Sequence, residues 1–251
     1  MLYLLRKIRR KLISTDNKVV TYLLYAIGEI ILVVVGILIA VQIDDWNKHR
    51  QKRQQEIESL QQIRASMYTA VDQLDKSIDA FIKTSNRLKS AITLIEGRKI
   101  LKEKDSLAYK INSSLGFPTP KFDKSAYDNL KMQGADLITN DSLRQEILSI
   151  YEIEFYYMTH ELDQGLRDYR NIMIPYTLKY VKLDVTDLTE KGPQFLITDG
   201  DLLINDKNFL NMLHHSFARN LIGKRHSTQL KVQIEQLIIK IENELNRLKS
   251  S

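Results

Sequence analysis

The feature that most constrains this chain is an apolar run near its N-terminus, YLLYAIGEIILVVVGILIAVQIDDW at residues 22–46. From Val19 to Ile43, 25 consecutive residues contain one acidic or basic side chain, that of Glu29. About 20 apolar residues in an α-helix cross the roughly 30 Å hydrocarbon core of a bilayer. The run predicts a transmembrane helix at residues 21–43. Its IAVQ ending lacks the small residues of a signal-peptide cleavage site, so we expect an uncleaved signal anchor.

The excess positive charge of the chain lies just before that helix. Residues 1–20 contain six Lys and Arg side chains and one Asp, a net charge of +5, which leaves +1 of the total +6 for the other 231 residues. Lys and Arg flanking a membrane helix favour the cytoplasmic side and attract anionic lipid. We predict a basic cytoplasmic or interfacial segment at 1–20, in a bacterial inner membrane, and a periplasmic domain at 44–251. Because that domain is nearly neutral, no nucleic acid is expected among its partners.

Glu29 lies well inside the apolar run, where an ionised carboxylate costs about 3 kcal/mol. We therefore expect Glu29 to face other protein or to carry a proton. Helical spacing places it on one face with Tyr25, Gly28, Gly36 and Ala40. Small residues let helix backbones approach closely, and a polar side chain beside them can hydrogen-bond across the contact. The sequence predicts a membrane helix–helix interface here, with a homo-oligomer or a multi-span membrane protein as partner.

Two other roles for Glu29 stay open. One is proton or ion coupling, as in motor-type assemblies whose single-span subunits carry a membrane carboxylate. The other is tolerance of a lipid-facing carboxylate that reaches toward the headgroups. Sequence spacing does not separate these roles from the structural one.

Residues 57–95 follow the apolar spacing of one long helix that continues from the membrane span and ends at Gly97. Ten of the twelve positions in this seam are apolar: Ile57, Leu60, Arg64, Met67, Val71, Leu74, Ile78, Phe81, Ser85, Leu88, Ile92 and Ile95. Such a seam forms either a parallel coiled coil between identical chains or the core face of an intramolecular bundle.

The segment at residues 226–249 repeats this pattern and supplies a partner within the same chain. Its apolar positions are Leu230, Ile234, Leu237, Ile241, Leu245 and Leu248. This partner favours antiparallel packing within one chain, although the coiled coil between chains stays open. The predicted fold is all-α, with an N-terminal transmembrane helix continuing into a long helix that packs in an extramembrane antiparallel helical bundle.

A shorter helix is predicted between the two long segments. It begins at a capping box formed by Ser125 and Asp128 and ends at Gly134. Proline and glycine place loops at 116–122 and 183–194.

Two further helices complete the prediction. One extends from an N-cap at Asp141 to a break or kink at Pro175, and the other from Asp206 to a stop at Gly223. No strand pattern of useful length occurs, and QFLITDGDLLI at 194–204 is the one ambiguous piece.

An aromatic group, YEIEFYYMTH, lies at residues 151–160 of the first of these helices. At helical spacing, Tyr151, Phe155, Tyr156 and Tyr157 fit either a core face or the wall of a ligand pocket between helices. Core is the more usual role for aromatic residues at this spacing.

The chain contains no motif that names a reaction. It has no cysteine, no Gly-x-Ser-x-Gly or His-Glu-x-x-His sequence and no phosphate-binding glycine loop. A di-metal site in a bundle needs Glu three residues before His. The residue three before His160 is Tyr157, and the residue three before His214, the first of the His214 and His215 pair, is Asn211. We therefore predict no metal, no cofactor and no catalysis.

Three stretches resemble a known family: LRKIRRKL at 5–12, YAIGEIILVVVGILIAVQIDDWN at 25–47, and FPTPKFDKSAYDNLKMQGADLITNDSLRQEI at 117–147. They resemble uncharacterised single-span membrane proteins of Bacteroidota, which begin with a short basic FRKIR-like segment followed by a similar membrane helix. The resemblance is specific over the first 50 residues and looser beyond. It implies a membrane location and a single-span architecture, but no activity, because that family has no known function.

Three classes of function remain, and we rank them in this order. The first is a membrane-anchored periplasmic helical bundle that acts as an interaction or scaffold subunit of a membrane assembly. The second is a sensor or transducer subunit, with proton coupling through Glu29 as one option. The third is an enzyme whose site no motif reveals.

Overall fold

The computed structural model describes residues 18–99, 104–114, 116, 118–184 and 194–250. The chain divides into two units, Met1–Gln55 and Glu56–Ser251. Most of the basic segment predicted at residues 1–20 lies outside the described residues, as does most of the loop predicted at 183–194.

A single helix, α1, extends over Lys18–Glu96 and contains 79 residues. Its N-terminal part is long and apolar enough to cross a membrane, and none of that apolar window is buried by the rest of the chain. No glycine or proline occurs between Gly36 and Gly97, so nothing in this stretch interrupts the helix. The helix ends before Gly97, whose N–H donates to the Thr93 carbonyl at 3.0 Å. The unbroken helix and its end at Gly97 were both predicted and are confirmed.

The second unit consists of the rest of α1 and a series of shorter elements. These are α2 (Lys104–Asn112), α3 (Ser125–Gln133), α4 (Asp141–Ser149), α5 (Phe155–Asp168), α6 (Ile174–Tyr180), β1 (Val181–Asp184), β2 (Gln194–Ile197), α7 (Gly200–Asn205) and α8 (Lys207–Ser250). The all-α class is confirmed.

The helix α3 has the predicted bounds but a different N-terminal hydrogen-bond pattern. The carboxylate of Asp123 accepts hydrogen bonds from the N–H of Ser125 at 2.9 Å and from its hydroxyl at 2.6 Å. The predicted capping box of Ser125 with Asp128 is wrong, because the N-cap is Lys124 and the Asp128 N–H donates to the Lys124 carbonyl at 2.9 Å. Gly134 ends the helix at a φ of 98°, a conformation that favours glycine.

The segments α4, α5 and α6 form one helical run, here called the middle helix, joined by π-helical turns at Ile150–Glu154 and Tyr169–Met173. The N-cap is Asn140, one residue before the predicted Asp141, and its side chain accepts from the Leu143 N–H at 3.2 Å. The break predicted at Pro175 takes the form of the second π turn. It places Pro175 in the first turn of α6, where its missing N–H costs little.

The C-terminal helix α8 has 44 residues, so the prediction of two helices separated at Gly223 is wrong. Gly223 lies inside α8 against the buried ring of Phe81 on α1. A Cβ atom at Gly223 would lie 2.6 Å from Cζ of that ring. The glycine therefore serves the close approach of two helices and not the end of one.

The helices α1 and α8 pack in antiparallel order within one chain, as predicted. Three polar contacts join them in opposite sequence order: Arg64 with Glu242 at 3.7 Å, Asp75 with Lys231 at 2.6 Å, and Glu96 with His214 at 3.1 Å. Every apolar position predicted on the 226–249 segment is buried in this contact.

The buried apolar side chains form two clusters. The first joins Leu60–Phe81 of α1 to Leu230–Leu248 of α8 and to the first half of the middle helix. The second joins Leu88–Ile95 of α1 to α2 and to the first part of α8. On the seam, Leu60, Met67 and Leu74 are buried as predicted. Between them, Ile63 and Ala70 are buried where Arg64 and Val71 were predicted, and those two are half-buried.

Small polar side chains lie near the boundary of the two clusters. Ser77, Ser85, Asn220 and Ser227 are all buried, and each has a side-chain oxygen without a hydrogen-bond partner in the described part of the chain. We call these four residues the polar layer. On α1, Ser77 and Ser85 flank Phe81 in sequence. On α8, Asn220 and Ser227 flank Gly223.

A short hairpin completes the fold. Strand β1 pairs antiparallel with β2, with Val181 opposite Ile197. The ambiguous piece at 194–204 contains both β2 and α7, while neither β1 nor α2 was predicted. Each has fewer than ten residues and depends on the second cluster, where Val181 is buried and Ile197 packs against it.

We expect the substitution Gly223→Ala to lower the free energy of unfolding by about 1–3 kcal/mol, because the new methyl group overlaps the buried Phe81 ring. In a Phe81→Leu background the new methyl group meets no aromatic ring. There the same substitution should raise the free energy of unfolding by about 1 kcal/mol, because alanine has a higher helix propensity than glycine. Urea unfolding of the four proteins measures this difference. A destabilisation of equal size in both backgrounds would contradict the contact.

Candidate functional site

The five residues predicted as a membrane helix–helix interface all lie on α1, within the first unit. Tyr25, Gly28, Glu29, Gly36 and Ala40 fall on one side of the helix, within an arc of roughly 120°. We call them the Glu29 face. All five are exposed, and the Tyr25 side chain is 80% exposed.

The Glu29 face combines a carboxylate with an open notch. Among the described residues, no atom beyond the adjoining helix backbone lies within 4 Å of the position that a Cβ would take at Gly28 or Gly36. The structure places the predicted residues together on the helix and joins none of them to another described part of the chain. Chemically, the arrangement offers two hydrogen-bond acceptor oxygens beside a place where a second backbone fits.

The second unit contains a polar arrangement that sequence spacing did not reveal. Glu56 is 2% exposed, and its Oε1 atom accepts hydrogen bonds from the Thr139 N–H at 2.7 Å and from the Thr139 hydroxyl at 2.8 Å. Thr139 directly precedes Asn140, the N-cap of α4. The first residues of the second unit on α1 are thereby attached to the start of the middle helix.

A second buried carboxylate, Glu244 on α8, holds the same turn. Its oxygens accept from the Asn140 side chain at 3.0 Å and from Arg247 Nη2 at 2.6 Å. The Arg247 guanidinium lowers the pKa of Glu244 below its ordinary value, and the bond from Asn140 acts in the same direction. We call Glu56, Thr139, Asn140, Glu244 and Arg247 the carboxylate clamp.

The carboxylate clamp joins three helices at one turn. The only signal in the sequence is the ITND stretch at 138–141, which lies inside a segment that resembles the family. Nothing in the spacing of Glu56 and Glu244, 188 positions apart in the chain, indicates that both meet this turn. The arrangement fits a structural role, since each carboxylate is occupied by protein groups.

The aromatic group at residues 151–160 divides between core and surface. Tyr151 and Phe155 are fully buried, and their rings stack on Tyr127 at 4.5 Å and on Phe122 at 4.0 Å. Burial raises the pKa of Tyr151 to about 12, and its hydroxyl donates to Ser66 at 2.8 Å. These two residues are core, whereas Tyr156 and Tyr157 are exposed.

The histidines considered as metal ligands lie apart. His160 stacks on Tyr156 with ring centroids 6.1 Å apart, and His214 contacts Glu96. His215 lines an interhelical cavity. Among the described residues, no three or more His, Cys, Asp or Glu side chains are grouped so that they could hold a metal ion.

Comparison with known proteins gives one family. The model of a family of unknown function, DUF6090, matches residues 29–221, about three quarters of the chain. The match begins at the carboxylate of the Glu29 face and ends inside α8. No curated protein and no solved structure matches this chain significantly.

We expect the Glu244 pair to make stability depend on pH. Because the pKa of Glu244 is lower in the folded protein than its ordinary value of 4.5, the pair adds stability above that pH, and this contribution is lost as the pH falls toward the folded-state pKa. Glu244→Gln should cost about 1 kcal/mol at neutral pH, since the Arg247 end of the pair is partly screened by water.

The measurement is urea unfolding of both proteins at about pH 6 and about pH 3. Wild type should lose more stability between these values than Glu244→Gln. Asp163→Asn, at an exposed position of the middle helix, is the control and should leave the pH dependence unchanged. Equal pH dependence of wild type and Glu244→Gln would show that the pair does not stabilise the fold.

Proposed function

The chain belongs to the DUF6090 family, a family of unknown function, and we propose that it is a membrane-anchored interaction subunit of a membrane assembly. In this proposal α1 anchors the chain in the bilayer, the Glu29 face binds a second membrane helix, and the body from Glu56 onward is the extramembrane domain. The second helix belongs either to another copy of the chain or to a multi-span protein.

The observation that supports this proposal is the exposed carboxylate of Glu29 beside the open notch at Gly28 and Gly36. In hydrocarbon, an unpaired carboxylate is costly, and a helix without partners gains nothing from glycines on its surface. A neighbouring helix answers both conditions, because its backbone fits the notch and a donor on it pairs with Glu29. The opposite side of α1 carries large apolar side chains, such as Ile27, Ile30 and Val34, which suit lipid.

The charge distribution supports the direction of insertion. The net charge of +5 on residues 1–20 belongs on the cytoplasmic side by the positive-inside rule, which leaves the second unit in the periplasm of a bacterium. We propose no catalysis, because the sequence has none of the motifs that define a nucleophile, a metal centre or a phosphate site.

A transducer is the second candidate, and one observation favours it. The helix α1 is continuous from its apolar part through the carboxylate clamp to the second apolar cluster. A continuous helix can carry a small rotation or shift along its length. If Glu29 binds and releases a proton, that event would favour one position of α1 over another.

We expect the association of the chain to depend on the Glu29 face. Glu29→Gln keeps a hydrogen-bonding group and should keep the assembly, whereas Glu29→Leu should weaken it by about 1 kcal/mol, about fivefold. Gly36→Leu should weaken it further by filling the notch. Val34→Leu, on the opposite side of α1, is the matched control and should have no effect.

The measurement is the size and composition of complexes extracted from native membranes in mild detergent. If Glu29→Leu and Gly36→Leu both assemble like wild type, the proposed interface is wrong. Glu29→Gln also separates the two candidates, because a scaffold tolerates it and a proton-coupled transducer loses its output.

The direction of insertion is tested by protease. Enzyme added to the outside of spheroplasts should cleave the chain beyond residue 50, and the same enzyme added to inverted membrane vesicles should leave that part intact. Cleavage only in the inverted vesicles would reverse the topology.

A further inference from the structure

An interhelical cavity of about 420 Å³ lies between the middle helix and α8, within the second unit. Its walls are mainly apolar, with Ile172, Met173 and Tyr176 from the middle helix and Met212 from α8. Protein interiors are packed with few voids larger than a water molecule. A cavity of this size is large enough for a small organic ligand.

The cavity lies where the core of the bundle is interrupted. Leu166, Tyr169 and Met173 share one face of the middle helix by their spacing, and all three are only half-buried. The π turn Tyr169–Met173 forms part of this wall, and π turns inside α-helices are frequent at functional sites. The interruption therefore coincides with an irregular helix turn that displaces side chains from regular packing.

One wall contains a buried polar group with an incomplete set of hydrogen bonds. Asn220 of the polar layer is 3% exposed, and its amide nitrogen donates to the Ser216 carbonyl at 2.9 Å. Its Oδ1 atom has no partner in the described part of the chain. A buried acceptor without a donor destabilises the folded chain, and a donor on a bound molecule would offset that cost.

The charges around the cavity are already compensated. Asp168 and Arg219, both in the wall, form an ion pair with each other. The other polar groups of the wall are amides, hydroxyls and one imidazole, from Ser114, Asn208, Asn211, Ser216, Asn220, Tyr169, Tyr176 and His215. A net ionic ligand would lack a counter-charge here, whereas a neutral ligand would not need one.

We infer that this cavity is a binding site for a small neutral molecule with an apolar body and one hydrogen-bond donor, such as a hydroxyl or an N–H group. The apolar walls hold the body, and the donor pairs with the Asn220 carbonyl after a small adjustment of that buried side chain. The inference does not depend on the Glu29 face, because all of its residues belong to the second unit.

The absence of cysteine from the chain provides a clean reporter. Ile172→Cys places a unique thiol on the cavity wall, and Leu178→Cys places one on the same helix outside the wall. Both native side chains are exposed, 52% and 67%, so both thiols should react with iodoacetamide. Each full-length protein is held in lipid nanodiscs and alkylated with and without probe.

Three probes share one ring system: 2-naphthol, 2-methoxynaphthalene, which lacks the donor, and naphthalene-2-sulfonate, which is an anion. At ten times its Kd, 2-naphthol should slow alkylation of Cys at position 172 about tenfold and leave position 178 unaffected. The methoxy compound should bind about fivefold more weakly, as expected for one lost hydrogen bond, and the sulfonate should not protect.

The substitution Asn220→Leu, made in the Ile172→Cys protein, should bring 2-naphthol to the affinity of the methoxy compound. If that variant does not fold, the three probes on the Ile172→Cys protein with its native Asn220 still decide the question. The inference is overturned if 2-naphthol slows both thiols equally or neither, if the methoxy compound protects as well as 2-naphthol, or if the sulfonate does.

Discussion

The structure of the second unit depends on the antiparallel contact between α1 and α8, and that contact depends on the fit of Phe81 against Gly223. A side chain at position 223 would force the helices apart at the centre of their contact. The ion pair of Asp75 with Lys231 lies on one side of this point and the contact of Glu96 with His214 on the other. Phe81 itself belongs to the first apolar cluster, and the second begins at Leu88, about two turns further along α1.

The interior formed by this contact is not uniform. Ser77, Ser85, Asn220 and Ser227 place small polar groups near the boundary of the clusters, and the cavity opens beside one of them, Asn220. At the far end of the first cluster, Glu56 and Glu244 hold the turn before the middle helix. The carboxylate clamp is occupied by protein donors and fixes the fold, whereas the cavity leaves an acceptor unpaired. That difference is why the cavity, and not the clamp, supports a ligand.

Local patterns in the sequence predicted most helices but not their ends or partners. Gly97 ends α1 as predicted, while Gly223, read in the same way, lies inside α8. Both glycines look alike in sequence, because the distinction depends on Phe81, 142 positions away. The N-cap of α4 was predicted one residue late, because Asn140 and Asp141 are both residue types that cap helices well. The hydrogen bond that the Asn140 side chain accepts from the Leu143 N–H identifies Asn140 as the cap. The strand β1 was not predicted, because four residues give too short a pattern.

The sequence by itself determined the long apolar helix, the position of Glu29 beside Gly28 and Gly36, and the seam that α1 buries. These features follow from spacing along one helix, which has a fixed geometry of 3.6 residues per turn. The tertiary structure alone decided that α8 is continuous, that Glu56 and Glu244 meet at Asn140, and that the middle helix leaves a cavity beside Asn220. These features depend on residues far apart in the chain, and no local period records which of them come into contact.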